Sequence, residues 1–243
     1  MGIKKERKQI MQELDRFKPH FHDVRDSVDG NRIQRTIHYP ETAKVISKYF
    51  HGKHILEVGC GMGWITGYLQ EMGENAEGFD VVQYAVDEGM RKGVAKNIFC
   101  ADAMDTINWK KKWDVVFSIN TIEYMEEDEV LIALQGLTKI FKEHLFLYLQ
   151  TWFHFLFRSK GVPADFKFPV RDMYDGNRRT AQTRDWYVEQ FDKLGVEEDY
   201  DLYKKIKFDD ELISGSDFRD RSKCAGLGWK GLDGFMVLRH KKG

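Results

Sequence analysis

Between Ile55 and Trp64 the chain reads ILEVGCGMGW, with glycines at 59, 61 and 63 directly after a short apolar run. Without Cβ atoms, such a turn lets a ligand approach backbone N–H groups and the N-terminus of the helix that follows. Three glycines at alternate positions exceed what a tight strand-to-helix turn needs. A dinucleotide site requires G-x-G-x-x-G. The sixth position is Trp64 counted from Gly59 and Thr66 counted from Gly61, so both registers fail.

Further along, acidic and amide side chains close the apolar runs. Asp80 ends the second run, 21 residues after Gly59. A carboxylate there offers two acceptor oxygens to a pair of ribose hydroxyls; the plain alternative is a solvated strand end. Asp102 stands in CADAM after the third run, where it suits either a ligand or a helix N-cap. The fourth run, DVVFSINTIEY, carries Asn120 just past its apolar part, then Glu123 and Tyr124.

Taken in order over residues 52–151, these features resemble the class I S-adenosylmethionine-dependent methyltransferases, whose first motif has the E-x-G-x-G-x-G spacing of Glu57, Gly59, Gly61 and Gly63. The resemblance implies S-adenosylmethionine as cofactor. It implies Asp80 on the ribose, Val81 flanking the adenine, Asp102 accepting from the adenine amino group and Ala103 offering a backbone N–H to the ring. Asn120 would form the wall of the methionine end. Apart from the resemblance, Tyr39 stands just before the helix that precedes the first strand, which places it near the cofactor end of the sheet as a candidate contact to the same moiety. Family members often carry Glu-His where this chain has Glu123-Tyr124, so no base carries over there.

Methyl transfer from a sulfonium is an in-line displacement that needs orientation and desolvation, and a base only in some cases. Ser118-Ile-Asn-Thr contains no proline, which argues against the Asn/Asp-Pro-Pro-aromatic segment of DNA amino methylation. Neither a paired acidic loop for arginine methylation nor a convincing set of metal ligands can be assembled. Residues 152–184 hold Trp152, His154 and a group of arginines that includes Arg178, Arg179 and Arg184. Guanidinium forks match carboxylates and phosphates, so Arg178, Arg179 and Trp152 are the substrate-binding candidates, against a merely solvated basic loop. His154 is the candidate general base, against a histidine packed among aromatics. The segment from Asp175 to Gly195 looks like one found in methyltransferases of small-molecule and surface-glycan pathways, with Arg178 where those often have His. The expected activity is therefore methyl transfer to a small-molecule or sugar-type acceptor, with an anionic substrate left open. Its rivals are a nicotinamide oxidoreductase and a non-catalytic cofactor-binding scaffold.

The elements that must position these groups alternate. Pro40 opens a helix with Ala43, Val45, Ile46 and Tyr49. Strands are expected at 54–58, 76–80, 97–100, 113–118 and 144–151, with helices at 64–72, 82–91 and 127–142. Thr183 caps a helix to Leu194 that Gly195 stops, and strands are expected at 199–208 and 235–240. The fold class that follows is α/β, a Rossmann-like doubly wound, mostly parallel seven-stranded sheet. Its single domain divides into N-terminal lid helices over 1–50, a cofactor-binding core over 51–151, a cap insertion over 152–182, and a C-terminal helix with antiparallel strands over 183–243.

Composition sets outer bounds. The 38 basic and 39 acidic residues leave a net charge of −1, which argues against a nucleic-acid coat. Three cysteines without CxxC spacing encode neither a disulfide framework nor a zinc site. The longest apolar run, Leu145–Phe157, is interrupted and shorter than the ~20 residues of a membrane helix. The charged N-terminal segment lacks the apolar core of a signal peptide. A cytoplasmic protein without stable membrane insertion is expected, its oligomeric state open.

Overall fold

The computed structural model describes residues 39–149, 182–209 and 235–242. The expected helix at the N-terminus, most of the cap insertion and the glycine-rich stretch before residue 235 lie outside the described residues.

Helix α1 (Tyr39–Phe50) precedes strand β1 (His54–Val58), and α2 (Trp64–Glu71) leads to β2 (Asn75–Asp80). Then come α3 (Gln83–Arg91), β3 (Ile98–Cys100), a short 3-10 turn at Ala103–Asn108 and β4 (Trp113–Ile119). A second 3-10 turn at Ile122–Tyr124 precedes α4 (Glu127–Ile140) and β5 (Phe141–Tyr148). After residue 181 follow α5 (Arg184–Lys193), β6 (Val196–Glu198), α6 (Tyr200–Lys207) and β7 (Phe235–His240).

The seven strands lie in the order β3-β2-β1-β4-β5-β7-β6. β1 to β5 pair in parallel, and β7 runs antiparallel between β5 and β6. This is the expected seven-stranded, mostly parallel sheet. Period-two alternation sorts side chains to its two faces. On β5, Leu145 and Leu147 face α4 and α5, meeting Leu134, Leu137, Tyr187 and Phe191. Phe146 and Tyr148 face the opposite layer with Ile46 of α1, Leu69 of α2 and Ile206 of α6. On β1, Leu56 and Val58 belong to the first layer and Ile55 to the second, so alternation sends Glu57 toward α1 and α2.

Two expectations need correction. The helix expected over 127–142 ends at Ile140, because Phe141 is fully buried and pairs with Trp113 as the first residue of β5. The strand expected over 199–208 is a helix. The Asp199 side chain accepts from the Leu202 N–H at 3.0 Å, and Tyr203 and Ile206 bury one helical face. The strand itself is only Val196–Glu198, paired with β7.

Candidate functional site

The chain leaves β1 toward β2 on one side and, after β3, crosses to β4 on the other. The C-terminal ends of β1 and β4 therefore diverge, and the crevice between them is where open α/β sheets take ligands. The glycine turn sits at this crevice. Gly59 and Cys60 both donate to the Phe79 carbonyl, at 2.8 and 2.9 Å, and so tie the turn to β2. Gly59, Gly61 and Gly63 have φ of 75, 56 and 82°, the left-handed region that disfavours a side chain.

Asp80 closes this turn from the side. One carboxylate oxygen accepts from the Gly61 N–H and the other from the Val82 N–H, each at 2.8 Å. Each oxygen carries a second lone pair, so the group can clamp the loop and still accept from a hydroxyl. It is 9% exposed, and burial raises its pKa above the ordinary carboxylate range while the backbone N–H donors oppose the rise. Val81 is half-buried, and its carbonyl accepts from the Cys100 thiol at 3.6 Å. Ala101 donates to the Asp80 carbonyl at 3.0 Å, which fixes the next loop against β2. Asp102 caps the 3-10 turn, accepting from the Met104 N–H at 2.9 Å. The N-cap alternative is thus realised, with Ala103 the buried first residue of that turn.

Glu57 is 4% exposed. It accepts from both the N–H and the hydroxyl of Thr66, at 3.0 and 2.5 Å, in the first turn of α2. Burial lifts its pKa to about 8 against the pull of those two donors. Its place is behind the glycine turn, bracing α2. Tyr39 lies next to it: burial first, and then the Glu57 charge, push the Tyr39 phenol above its usual range. The Tyr39 ring lies nearly parallel to that of Trp64, centroids 6.5 Å apart.

Asn120 is the one non-glycine residue with positive φ among the described residues, at 50°. Asparagine tolerates this conformation better than most side chains. Its N–H donates to the Tyr148 carbonyl at 2.9 Å, while its side-chain oxygen is buried without a hydrogen-bond partner. Sequence reasoning missed the next residue. Thr121 Oγ1 lies 3.2 Å from the Ile119 carbonyl, 3.4 Å from that of Val58 and 3.5 Å from that of Gly59. It also missed Trp64; its position directly after the last turn glycine was the available signal. Glu123 is wholly buried beneath this loop. Burial and then the charges of Glu123 and Glu127 drive the Tyr187 phenol upward.

The structure brings together Tyr39, Glu57, the three glycines, Asp80, Val81, Asp102, Ala103 and Asn120 around the C-terminal ends of β1, β2, β3 and β4. Trp152, His154, Arg178 and Arg179 lie outside the described residues. Arg184 leaves the expected anion-binding group: it is buried, paired with Glu198 of β6, with its guanidinium 5.8 Å from the Tyr203 ring centroid. Among the described residues no cluster of three His, Cys, Asp or Glu side chains is placed to hold a metal ion. No helix among them is long and apolar enough to cross a membrane.

Comparison with known proteins adds further findings. Residues 55–144 match the family described as a methyltransferase domain. An S-adenosylmethionine-dependent methyltransferase from Clostridium acetobutylicum superposes with a TM-score of 0.61 at 13% identity, covering 91% of this chain and 99% of its own. Magnesium protoporphyrin IX methyltransferase from Synechocystis, solved with bound S-adenosylhomocysteine, gives 0.55 at 13% identity over 94% of this chain and 97% of its own. The [4+2]-cyclase SpnF gives 0.51 at 15% identity over 84% and 82%. No curated protein sequence matches the chain. At these identities the superpositions speak for the fold alone.

Proposed function

We propose that the chain, whose residues 55–144 match a methyltransferase domain, is a class I S-adenosylmethionine-dependent methyltransferase that methylates a small-molecule or sugar-type acceptor. The observation that carries the site assignment is the left-handed glycine turn at the β1–β4 crevice, clamped by a buried Asp80 with acceptor capacity to spare. The buried, partnerless amide oxygen of Asn120 is a second fit to a ligand bearing donors.

In this proposal Asp80 holds the ribose hydroxyls, Val81 flanks the adenine, and Asp102 and Ala103 meet its edge. Gly59, Gly61 and Gly63 allow close approach, Asn120 and Tyr39 line the methionine end, and Glu57 braces the turn from behind. When bound, the cofactor supplies an electrophilic methyl carbon. The protein's own share is to orient the acceptor, exclude water and, where the nucleophile needs it, remove a proton. His154 as that base, and Trp152, Arg178 and Arg179 around an anionic acceptor, enter from the sequence alone. The division into lid, core, cap and tail belongs to the same proposal. So does a reducing, cytoplasmic setting, which the free thiols of Cys60 and Cys100 support.

Calorimetric titration with S-adenosylhomocysteine and with NAD tests the cofactor; binding of NAD alone overturns the proposal. Incubation with methyl-labelled S-adenosylmethionine and small-molecule or sugar panels tests the acceptor class. A [4+2]-cyclase has the same fold, so the fold does not by itself require methyl transfer; the second reading is a cofactor-holding protein that transfers no methyl group. Tight cofactor binding with no label transferred across broad panels would select it.

A further inference from the structure

Trp64 is the first residue of α2 and follows Gly63 directly, while Tyr39 is the first residue of α1. Their rings are inclined by only 9°, so two aromatic faces stand parallel at the exit of the glycine turn. Away from Tyr39, Trp64 packs against the cluster of Met62, Val82 and Ala85, which Val81 also joins. That cluster fixes the indole and runs the wall on toward the end of β2. Aromatic faces are the negative ends of a quadrupole, and they attract a cation within ~6 Å of the ring centroid.

We propose that Tyr39 and Trp64 form a cation-selecting wall that makes the site favour a positively charged sulfonium cofactor over the neutral thioether product. The inference rests on the cofactor reading above. Reactant and product cofactors differ at sulfur by one methyl group and one positive charge, so this wall distinguishes them where size barely does. Weaker holding of the product then helps each turnover end. Packing alone does not account for the arrangement. A helix start needs no pair of stacked aromatic rings, and an aliphatic side chain would seal the Met62 cluster equally well.

The test compares sinefungin, which carries an ammonium at the transferring position, with S-adenosylhomocysteine, which is neutral at sulfur. Both are titrated calorimetrically into the full-length protein and into Trp64→Leu, Trp64→Phe and Tyr39→Leu, with thermal melts establishing that each variant is folded. The expected result is that Trp64→Leu lowers the affinity for sinefungin relative to S-adenosylhomocysteine by ~5-fold, the size of a partly desolvated cation–π contact. Trp64→Phe, which keeps an aromatic face, retains most of that preference. Equal losses for both ligands, or an unchanged ratio, make Trp64 a packing residue and overturn the wall. Failure of the wild-type protein to bind either ligand overturns the cofactor reading, and the wall with it.

Discussion

A Cβ placed on Gly59 would lie 2.1 Å from Cγ2 of Thr121, so the threonine side chain occupies the space that any other residue at 59 would need. The first glycine of the cofactor turn and the loop after β4 are thereby interlocked across the crevice. Thr121 Oγ1, close to the Val58 and Gly59 carbonyls, reinforces the contact. The two loops that border the crevice, one after β1 and one after β4, are held in register by this one approach.

Gly59→Ala should therefore cost twice, through its left-handed φ and through collision with Thr121. We expect a loss of about 2–4 kcal/mol in chemical denaturation and a tenfold or larger loss of affinity for S-adenosylhomocysteine. Adding Thr121→Gly should recover part of the stability. A double-mutant cycle in which the two changes are merely additive would show that no interlock exists.

Asp80 clamps the loop and, in the proposed function, also holds the ligand. Asp80→Ala removes the partner of the Gly61 and Val82 N–H groups and should lower stability by about 1–3 kcal/mol even without cofactor. The same change should weaken S-adenosylhomocysteine binding by more than tenfold. Wild-type affinity in this variant removes Asp80 from the ribose.

Glu57 links stability to pH. Its folded pKa is raised from 4.5 to about 8 by burial, so between those values the native state holds a proton that the unfolded chain has lost. Its contribution is fully present below the unfolded pKa and disappears as pH rises through the folded one. Unfolding free energy should thus decline between pH 5 and 8 by up to ~4 kcal/mol from this group, most of the ~5 kcal/mol linkage limit for such a shift. In Glu57→Gln, urea titrations across that range should show a flatter profile; an unaltered slope assigns the pH dependence elsewhere.

If Asn120 lines the methionine end as proposed, it trades stability for function. Asn120→Gly relieves the left-handed strain at φ 50° and should leave stability within ~1 kcal/mol of wild type or above it. Turnover or cofactor affinity should fall, because the buried amide oxygen is gone. A fully active variant would reduce Asn120 to a turn former.

His154→Ala should lower turnover with cofactor affinity unchanged, and charge reversal at Arg178 or Arg179 should raise the KM of an anionic acceptor. Unchanged kinetics in each variant strike that residue from the site.

Much of the core was legible because its signals are local. HILEV reads as a strand from composition alone, the glycine spacing marks the turn, and Asp80 stands where the second strand runs out. Alternation from Ile55 even sends Glu57 to the α2 face. The segment after Asp199 was misread for a local reason too. Tyr200, Leu202 and Ile206 fit either period, and Tyr203 together with the N-cap of Asp199 was the overlooked discriminator.

From its sequence alone, this protein's strand-turn-helix order and the identity of the groups at the strand ends are determined, since period and backbone conformation depend on neighbours in the chain. Only the tertiary structure decided what those groups face. The seating of Gly59 against Thr121, the stacking of Tyr39 on Trp64 and the burial of Glu57 against Thr66 join residues from different elements. Such contacts arise when the sheet orders its strands as β2-β1-β4 and brings separate loops to one crevice. The pairing is set by packing across the layers, which no local pattern encodes.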